Sequence, residues 1–326
     1  MEPMMLGALS VYPYGLALAL SAAVSLVLLA ARCRNLKAGA ASWFGMLALV
    51  LGVLCARLLY GLVRFDWLLE KGAAQMVRFT GGGYVLYGAV LGGMLAAWLT
   101  GKITGEKPSR LLDAATAPAA LMIALSRLAE TLVGQGYGRY IADWFDGESG
   151  MSLFVLENTS FFERFPFAVQ DMYEEWCWAV FMLEAVFAIV LMVVMLRVHA
   201  KRDGSRAMLF LLLYAASQAL CEGLREDEVL RWGFVRVNQI LSAVTVAGVL
   251  LCCCLRLKEK AARQVVLAWC GTLCGMLLMI AMEFAVEKKI VWLEWLPMDM
   301  CYLITALSGV LMTVSILPIW KKQDRA

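Results

Sequence analysis

Residues 41–63 read ASWFGMLALVLGVLCARLLYGLV, a run in which Arg57 is the one charged side chain. A helix of about 20 apolar residues spans the hydrocarbon core of a bilayer, so this run predicts a transmembrane helix. The composition agrees, because 62% of the 326 residues are hydrophobic and 17% are charged. Soluble domains average about 45–50% hydrophobic residues and about 25% charged residues. We therefore expect a membrane protein rather than a soluble domain with a thick core.

Further apolar runs of this kind lie along the whole chain, each bounded by charged or turn residues. Because Met1-Glu2-Pro3 lacks the basic flank of a cleaved signal peptide, we expect the first run to be retained. The predicted fold class is an all-α, polytopic transmembrane helical protein of about nine spans. We place the spans at about 14–32, 41–63, 84–100, 111–132, 178–196, 207–222, 236–255, 265–286 and 300–318.

The distribution of lysine and arginine predicts the orientation of these spans. Of the 29 basic residues, 17 follow odd-numbered spans and 10 lie on the opposite side. Because basic loops favour the cytoplasm, the N-terminus is predicted to be outside and the C-terminus cytoplasmic. The formal net charge of +3 is small and gives no reason to expect nucleic acid as a partner.

Residues 134–177 form a long outside segment after the fourth span. They carry eight acidic side chains against Arg139 and Arg164, and many aromatic ones. A loop of this length is functional or disordered, and its aromatic content opposes disorder. We expect a small extracytoplasmic head here, within a membrane domain of residues 1–258. Residues 259–326 are predicted to add two further transmembrane helices.

Ionisable side chains inside the spans are the first candidates for function. Each costs on the order of 2.5–3.5 kcal/mol on insertion scales. All of them lie in the outer half of a span, so we expect them to meet at one depth. Arginines at the outer headgroup level suit a phosphate, which guanidinium binds bidentately. The candidates are Arg57, Arg127, Glu130 and Glu184, with Glu222 and Arg225 at the outer end of the sixth span.

Simpler interpretations of the same residues stay open. Arg127 and Glu130 lie three residues apart on one helix and could pair only with each other. Arg57 could extend to the outer interface. Tyr87 could belong to an aromatic belt. The spacing of Gly88 and its partner four residues later could serve helix packing alone.

Metal chemistry and nucleophilic catalysis find little support. The one histidine, His199, lies in a basic loop that is predicted to be cytoplasmic, so no histidine-based catalytic arrangement can be assembled. The ten cysteines show no CxxC spacing and are expected to be buried, reduced thiols. Acylation of the Cys252–Cys254 run is the alternative. We expect neither a metal nor a soluble cofactor.

The order of motifs resembles the prolipoprotein diacylglyceryl transferase family of bacteria over residues 10–255. Spans eight and nine have no counterpart in the seven-span family core. The resembling segments are Tyr14-Gly15, Ala56-Arg57-Leu58-Leu59-Tyr60, Gly82-Gly83 through Tyr87-Gly88 to Gly92, Asp113 and Pro118, Ser126-Arg127 through Glu130 to Gly138-Arg139, Glu184, Glu222-Gly223-Leu224-Arg225, and Asn238-Gln239 to Ser242.

Three positions depart from the family pattern. The motif histidine is Tyr87, the motif asparagine is Glu130, and the motif glutamate is Gln135. The histidine has a central catalytic role in the family, so either Tyr87 takes over that role or the reaction differs. A tyrosine with an ordinary pKa near 10 is a poor base unless an arginine lies beside it.

The resemblance implies transfer of the diacylglyceryl group of phosphatidylglycerol to the lipobox cysteine of a prolipoprotein, a step of lipoprotein biosynthesis. The expected location is the bacterial cell (inner) membrane, with chemistry at the outer leaflet. The alternatives are a non-catalytic lipid-binding or accessory protein, transfer to a different acceptor, and a transporter, for which the expected internal repeats are not seen. Implied catalytic residues are Tyr87, Arg127, Glu130 and Arg225, and implied substrate-binding residues are Tyr14, Arg57, Gly138, Arg139, Glu184, Glu222 and Gln239.

Overall fold

The computed structural model describes residues 4–6, 9–72, 74, 76, 82–145, 153–171, 173–226, 230–232, 235–257 and 262–325. Gly81, the head acids Asp146 and Glu148 and the domain boundary predicted at 258–259 lie outside the described residues.

Nine helices in the described part of the chain are long and apolar enough to cross a membrane. Their bounds agree with the predicted spans to within a few residues, except that the ninth helix extends further, and they confirm the polytopic all-α class. They are α1 (Pro13–Arg32), α2 (Ala40–Val63), α4 (Leu86–Thr104), α5 (Pro108–Ala129), α9 (Val180–Arg197), α10 (Ser205–Leu224), α11 (Val237–Arg256), α12 (Ala262–Val286) and α13 (Met298–Arg325).

Shorter elements join these helices. In the described ranges they are α3, α6, α7 and α8, three small antiparallel hairpins and two 3-10 turns. Their bounds are α3 (Phe65–Lys71), α6 (Ala142–Phe145), α7 (Leu153–Glu157), α8 (Thr159–Phe162), β1 (Met4–Leu6) with β2 (Leu9–Val11), β3 (Ala168–Gln170) with β4 (Trp176–Trp178), β5 (Arg231–Trp232) with β6 (Val235–Arg236), and the turns Glu130–Leu132 and Val291–Leu293.

The ends of the long helices follow from local sequence. Pro13 and Pro108 occupy the first positions of α1 and α5, where the missing N–H has no helical partner to lose. Gly105, with a φ of 69°, ends α4 in the left-handed conformation. Between such ends the apolar runs form helices, because hydrocarbon offers no partner for an open backbone group.

Glycines bring α4 close to α2. A Cβ atom at Gly88 would collide with the carbonyl oxygen of Cys55, and one at Gly92 with that of Leu51. The backbones therefore approach more closely than side chains would allow. The spacing of these two glycines serves helix packing, one of the interpretations that the sequence left open.

Helix α10 lies at the centre of the bundle and packs against α5, α9, α11 and α13. The C-terminal helix α13 joins it directly: Trp320 Nε1 donates to the carbonyl oxygen of Ser205 at 2.7 Å, and Gln323 Nε2 to the Ser205 hydroxyl at 3.0 Å. Since α12 packs on α13, both added helices are attached to the core of the bundle.

The described part of residues 134–177 has an apolar cluster of its own. Ile141, Val155 and Phe162 are buried there, and the Phe162 ring lies 6.0 Å from that of Trp176. Tyr140 pairs with Cys177 across a β-bridge. The described residues of this segment therefore pack around an apolar cluster of their own, between α5 and α9 in the chain.

Candidate functional site

Two arginines from separate elements meet on one carboxylate. Arg127, in the last turn of α5, places Nε 2.8 Å from Glu184 Oε2 on α9. Arg225, just after α10, places Nη1 3.3 Å from the same oxygen. Because one oxygen atom joins them, the two guanidinium groups are near enough to bind a single phosphate group. The expected convergence of these three residues is present.

Glu130 closes the group into a four-membered cluster. Its Oε1 pairs with Arg127 Nη1, and its Oε2 lies 3.6 Å from Arg225 Nη2. The local pair of Arg127 and Glu130 therefore exists, but it is one part of a larger network. We call Arg127, Glu130, Glu184 and Arg225 the arginine cluster. Their side chains are at most 16% exposed, and their formal charges cancel.

The segment after α5 shapes this cluster through two glycines. Gly136 has a φ of 80°, and a Cβ atom there would overlap the Glu130 carboxylate. Gly138 pairs with Arg225 across a β-bridge and donates its N–H to the carbonyl oxygen of Trp178 at 2.7 Å. Both positions let the chain pass closely enough to fix Arg225 and Glu130.

A second layer of buried amides and acids supports the cluster. Gln218 Nε2 donates to Glu184 Oε1 at 3.1 Å and lies 3.4 Å from Glu222 Oε2. Asn238 Nδ2 donates to Glu222 Oε1 at 3.1 Å. Glu222 is thus linked to the arginine cluster through Gln218. Tyr214 donates its hydroxyl to Gln218 Oε1 at 3.0 Å, which orients the amide.

Tyr87 lies in this layer rather than in the arginine cluster. Its buried hydroxyl is 2.6 Å from Ser242 Oγ, and its ring is 5.8 Å from the ring of Tyr214. To act as a base, Tyr87 would need an arginine beside its hydroxyl, whereas the hydroxyl lies beside Ser242. Ser242 and Tyr214, the two partners of Tyr87, lie on α11 and α10.

Arg57 has partners of another kind. Its Nη1 donates to the carbonyl oxygens of Gly82 and Gly83, in the latter case at 2.9 Å. Its guanidinium carbon lies 5.4 Å from the ring centre of Trp67 and 5.6 Å from that of Tyr84. Arg57 is 3% exposed, and its hydrogen bonds hold the turn before α4.

The remaining predicted residues lie around the cluster. Tyr14 on α1 is close enough to interact electrostatically with Arg127, Glu130 and Arg225. Arg139 places Nε 2.9 Å from Glu226 Oε1. Burial lowers the pKa of the Arg139 guanidinium, but Tyr302 and the carboxylates of Glu226 and Glu287 raise it by more, so this pKa is raised overall. Gln239 Nε2 donates to Glu283 Oε2 at 3.2 Å, one helix further away.

Sequence reasoning missed several members of this site. Gln218 lies inside the predicted sixth span and is not among the candidates named from the sequence. Asn238 and Ser242 stand in a resembling motif without an assigned role. Arg236, 1% exposed, stands at the start of the predicted span 236–255 and is not among the candidates named from the sequence. The charge of Arg236 does not predict its role, because the role depends on which backbone carbonyl groups lie beside it in the folded chain.

The arrangement offers paired guanidinium groups for a phosphate and two carboxylates as proton acceptors. Within the described ranges, no group of three or more His, Cys, Asp or Glu side chains is arranged to hold a metal ion. The chemistry that this site supports is binding of an anionic headgroup and transfer of a proton.

Comparison with known proteins finds one family. The family profile described as prolipoprotein diacylglyceryl transferase matches residues 3–255. A Clostridioides difficile protein named phosphatidylglycerol–prolipoprotein diacylglyceryl transferase is 24% identical over 62% of this chain and 73% of its own. Proteins of that name from Listeria welshimeri and Clostridium botulinum are 22% and 26% identical, over 74% and 75% of this chain and 84% and 91% of theirs.

Proposed function

Since the chain belongs to the prolipoprotein diacylglyceryl transferase family, we propose that it moves the diacylglyceryl group of phosphatidylglycerol to the lipobox cysteine of a prolipoprotein. In this reaction the cysteine sulfur attacks the glycerol carbon that carries the phosphate. A thioether C–S bond forms and the C–O bond to the phosphate breaks. Glycerol phosphate leaves with the bonding electron pair, and a base takes the thiol proton.

The observation that carries this proposal is the contact of Arg127 and Arg225 with the same Glu184 oxygen. Two guanidinium groups from different helices are held together before the lipid arrives. Negative charge grows on the leaving phosphate oxygen in the transition state. Donors already in place stabilise that charge without reorganising, which is the largest single contribution in many enzymes.

Glu130 is the proposed proton acceptor. It belongs to the arginine cluster, whereas the Tyr87 hydroxyl is engaged with Ser242. The formal charges of the two arginines and two glutamates in the cluster cancel. When Glu130 takes the thiol proton, one of its arginines is released toward the leaving group. Proton transfer and stabilisation of the phosphate are thereby coupled.

A direct assay tests the proposal. We expect the purified protein in phosphatidylglycerol vesicles to convert a lipobox peptide to its thioether and to release one glycerol phosphate per peptide. Both products are measured by mass spectrometry. A peptide with serine in place of the cysteine is the control. Bound phosphatidylglycerol without transfer would instead favour the accessory function, which the paired guanidinium groups also support.

The variant Glu130→Gln distinguishes the role of Glu130 as proton acceptor from the role of the arginines in binding phosphate. This variant removes the acceptor but gives the cluster a net positive charge. We expect phosphatidylglycerol to bind more tightly while transfer falls about 10²-fold, in the range of general base catalysis. Tyr87→Phe, which deletes only a hydroxyl, is the comparison and is expected to change transfer much less. If Tyr87→Phe has the larger effect, Tyr87 is the base.

We place the reaction at the outer leaflet of the bacterial cell membrane, with the N-terminus outside. The excess of basic residues after odd-numbered spans supports this orientation. A cysteine introduced at Glu157 should react with an impermeant maleimide on intact cells, and one at Lys201 should not. The reverse labelling pattern would remove the outer-leaflet site.

A further inference from the structure

Helix α12 extends to the edge of the candidate site although it lies beyond residues 3–255, which the family profile matches. Near its end it presents Glu283 to Arg236, with Oε1 2.7 Å from Nε. The other carboxylate oxygen accepts a hydrogen bond from Gln239 at 3.2 Å. It also stands 3.6 Å from where a Cβ atom of Gly223 would lie, in the last turn of α10.

Arg236 in turn binds the backbone that carries Arg225. Its Nη1 donates to the carbonyl oxygen of Glu222 at 2.5 Å and to the carbonyl oxygen of Arg225. The last carbonyl groups of a helix have no helical partner, and a cation at that end also interacts favourably with the helix dipole. Arg236 therefore stabilises the end of α10 at the point where the chain turns into Arg225.

This arrangement depends on a counter-charge. Arg236 is 1% exposed, and a buried guanidinium without a close carboxylate is strongly unfavourable. Glu226 also approaches it, but at 3.7 Å from Nη2. Glu283, at 2.7 Å, is the closer of these two carboxylates. The added helix thus supplies the charge that keeps Arg236 on the two carbonyl groups.

We propose that Glu283 is a positioning residue for transfer: through Arg236 it holds the Glu222–Arg225 turn so that the Arg225 guanidinium stays on the arginine cluster. This role rests on the proposed function and deepens it, because it assigns the two C-terminal helices a part in the site. Glu283 does not contact the arginine cluster in the described contacts. It acts on the position of Arg225 through the backbone.

Glu283→Gln tests the proposal, since it keeps the shape and removes the charge. We expect kcat for transfer to fall about ten- to a hundredfold, as small misplacements of a binding group do, with KM for the peptide unchanged. Hydrogen exchange should speed up at the amides of Arg225 and Glu226, which donate to the carbonyl oxygens of Glu222 and Tyr137. Glu283→Asp, which keeps the charge, should restore most of both signals.

The matched control is Glu287→Gln, one turn later. Its carboxylate lies 3.8 Å from Arg231 and is 25% exposed, so both readouts should stay close to those of the unmodified protein. Equal effects of the two glutamine variants, unchanged exchange in Glu283→Gln, or faster exchange with normal kcat would each overturn the positioning role. If the unmodified protein transfers nothing, the proposed function fails. Hydrogen exchange then decides by itself whether Glu283 orders the turn.

Discussion

Carboxylates at the two ends of the helix bundle have different partners. At the end with the arginine cluster, Glu130 and Glu184 pair with guanidinium groups. At the other end, Asp113 accepts the backbone N–H groups of Gly204 at 2.6 Å and Ala207 at 2.8 Å. Two further acids there also bind backbone N–H groups: Glu106, which in addition pairs with Arg110, accepts from Lys37 and Lys107, and Asp324 accepts from Lys201 and Arg202.

The two kinds of partner indicate two roles for the carboxylates, one in stabilising the fold and one in the candidate site. A carboxylate on backbone N–H groups fixes a loop to a helix, and neither partner can be exchanged without moving the chain. A guanidinium group that pairs with a carboxylate can also bind a second anion such as a phosphate. The same residue type thus stabilises the fold at one end and keeps charge available at the other. Substitutions at the two ends should accordingly change different measurements.

The largest expected effect is at Arg127. Arg127→Lys keeps a positive charge but loses the fork that contacts both Glu130 and Glu184. We expect transfer to fall about 10²–10³-fold, as for loss of a transition-state donor, with little change in thermal stability. Lys107→Ala, at the opposite end and with a side chain 72% exposed, is the control. Equal losses in the two variants would contradict the division of roles.

Gly136→Ala should give the next effect, about tenfold or more on transfer. The added Cβ atom would overlap the Glu130 carboxylate, and the φ of 80° disfavours any side chain. Gly134→Ala is a close match, because its φ of 61° imposes similar strain while nothing lies within 4 Å of the new atom. The transfer rates of the two variants, normalised to folded protein, distinguish the effect of the steric overlap at Gly136 from the effect of backbone strain.

Asp113→Ala probes the scaffold end. Two backbone N–H groups lose their acceptor, and we expect the free energy of unfolding to fall by about 1–3 kcal/mol. Transfer per folded molecule should stay unchanged, because the site lies at the other end. Thermal unfolding in lipid–detergent micelles measures the first quantity. Asp203→Asn, which removes an exposed ion pair with Lys107, should have almost no effect on it.

The smallest effect is a pH dependence at Glu106. The backbone N–H of Lys37 is the main cause that lowers the pKa of this carboxyl group, and Arg110 contributes. Since the folded pKa is lower than the unfolded one, the stabilisation is complete above the unfolded pKa and is lost as pH falls through the folded pKa. The stability difference between the unmodified protein and Glu106→Gln should therefore shrink in acid. A constant difference would point to packing alone.

Much of the architecture could be predicted because hydropathy is a local property. The run 41–63 became α2, Ala40–Val63, with no information from its neighbours. The depth of the charged residues was also readable, since it depends only on position within a span. The existence of the arginine cluster follows from depth and from the cost of isolated charge in hydrocarbon.

The contact partners of these charged residues could not be predicted from the sequence in the same way. Arg57 and Arg127 each lie in the C-terminal part of a long helix, yet one binds Gly82, Gly83 and aromatic rings while the other binds Glu130 and Glu184. Depth does not tell which way a helix faces. That rotation depends on how its neighbours pack, as at the close approach of α4 to α2.

By itself, then, the sequence determined the nine long apolar helices of the described ranges and the charged positions near their ends, because each depends on one segment and its solvent. Tertiary structure alone decided that Tyr87 faces Ser242, that Arg225 reaches Glu184, and that Glu283 neutralises Arg236. These contacts join residues far apart in the chain. Their geometry depends on helix rotation and tilt, which are set by packing between segments rather than within one.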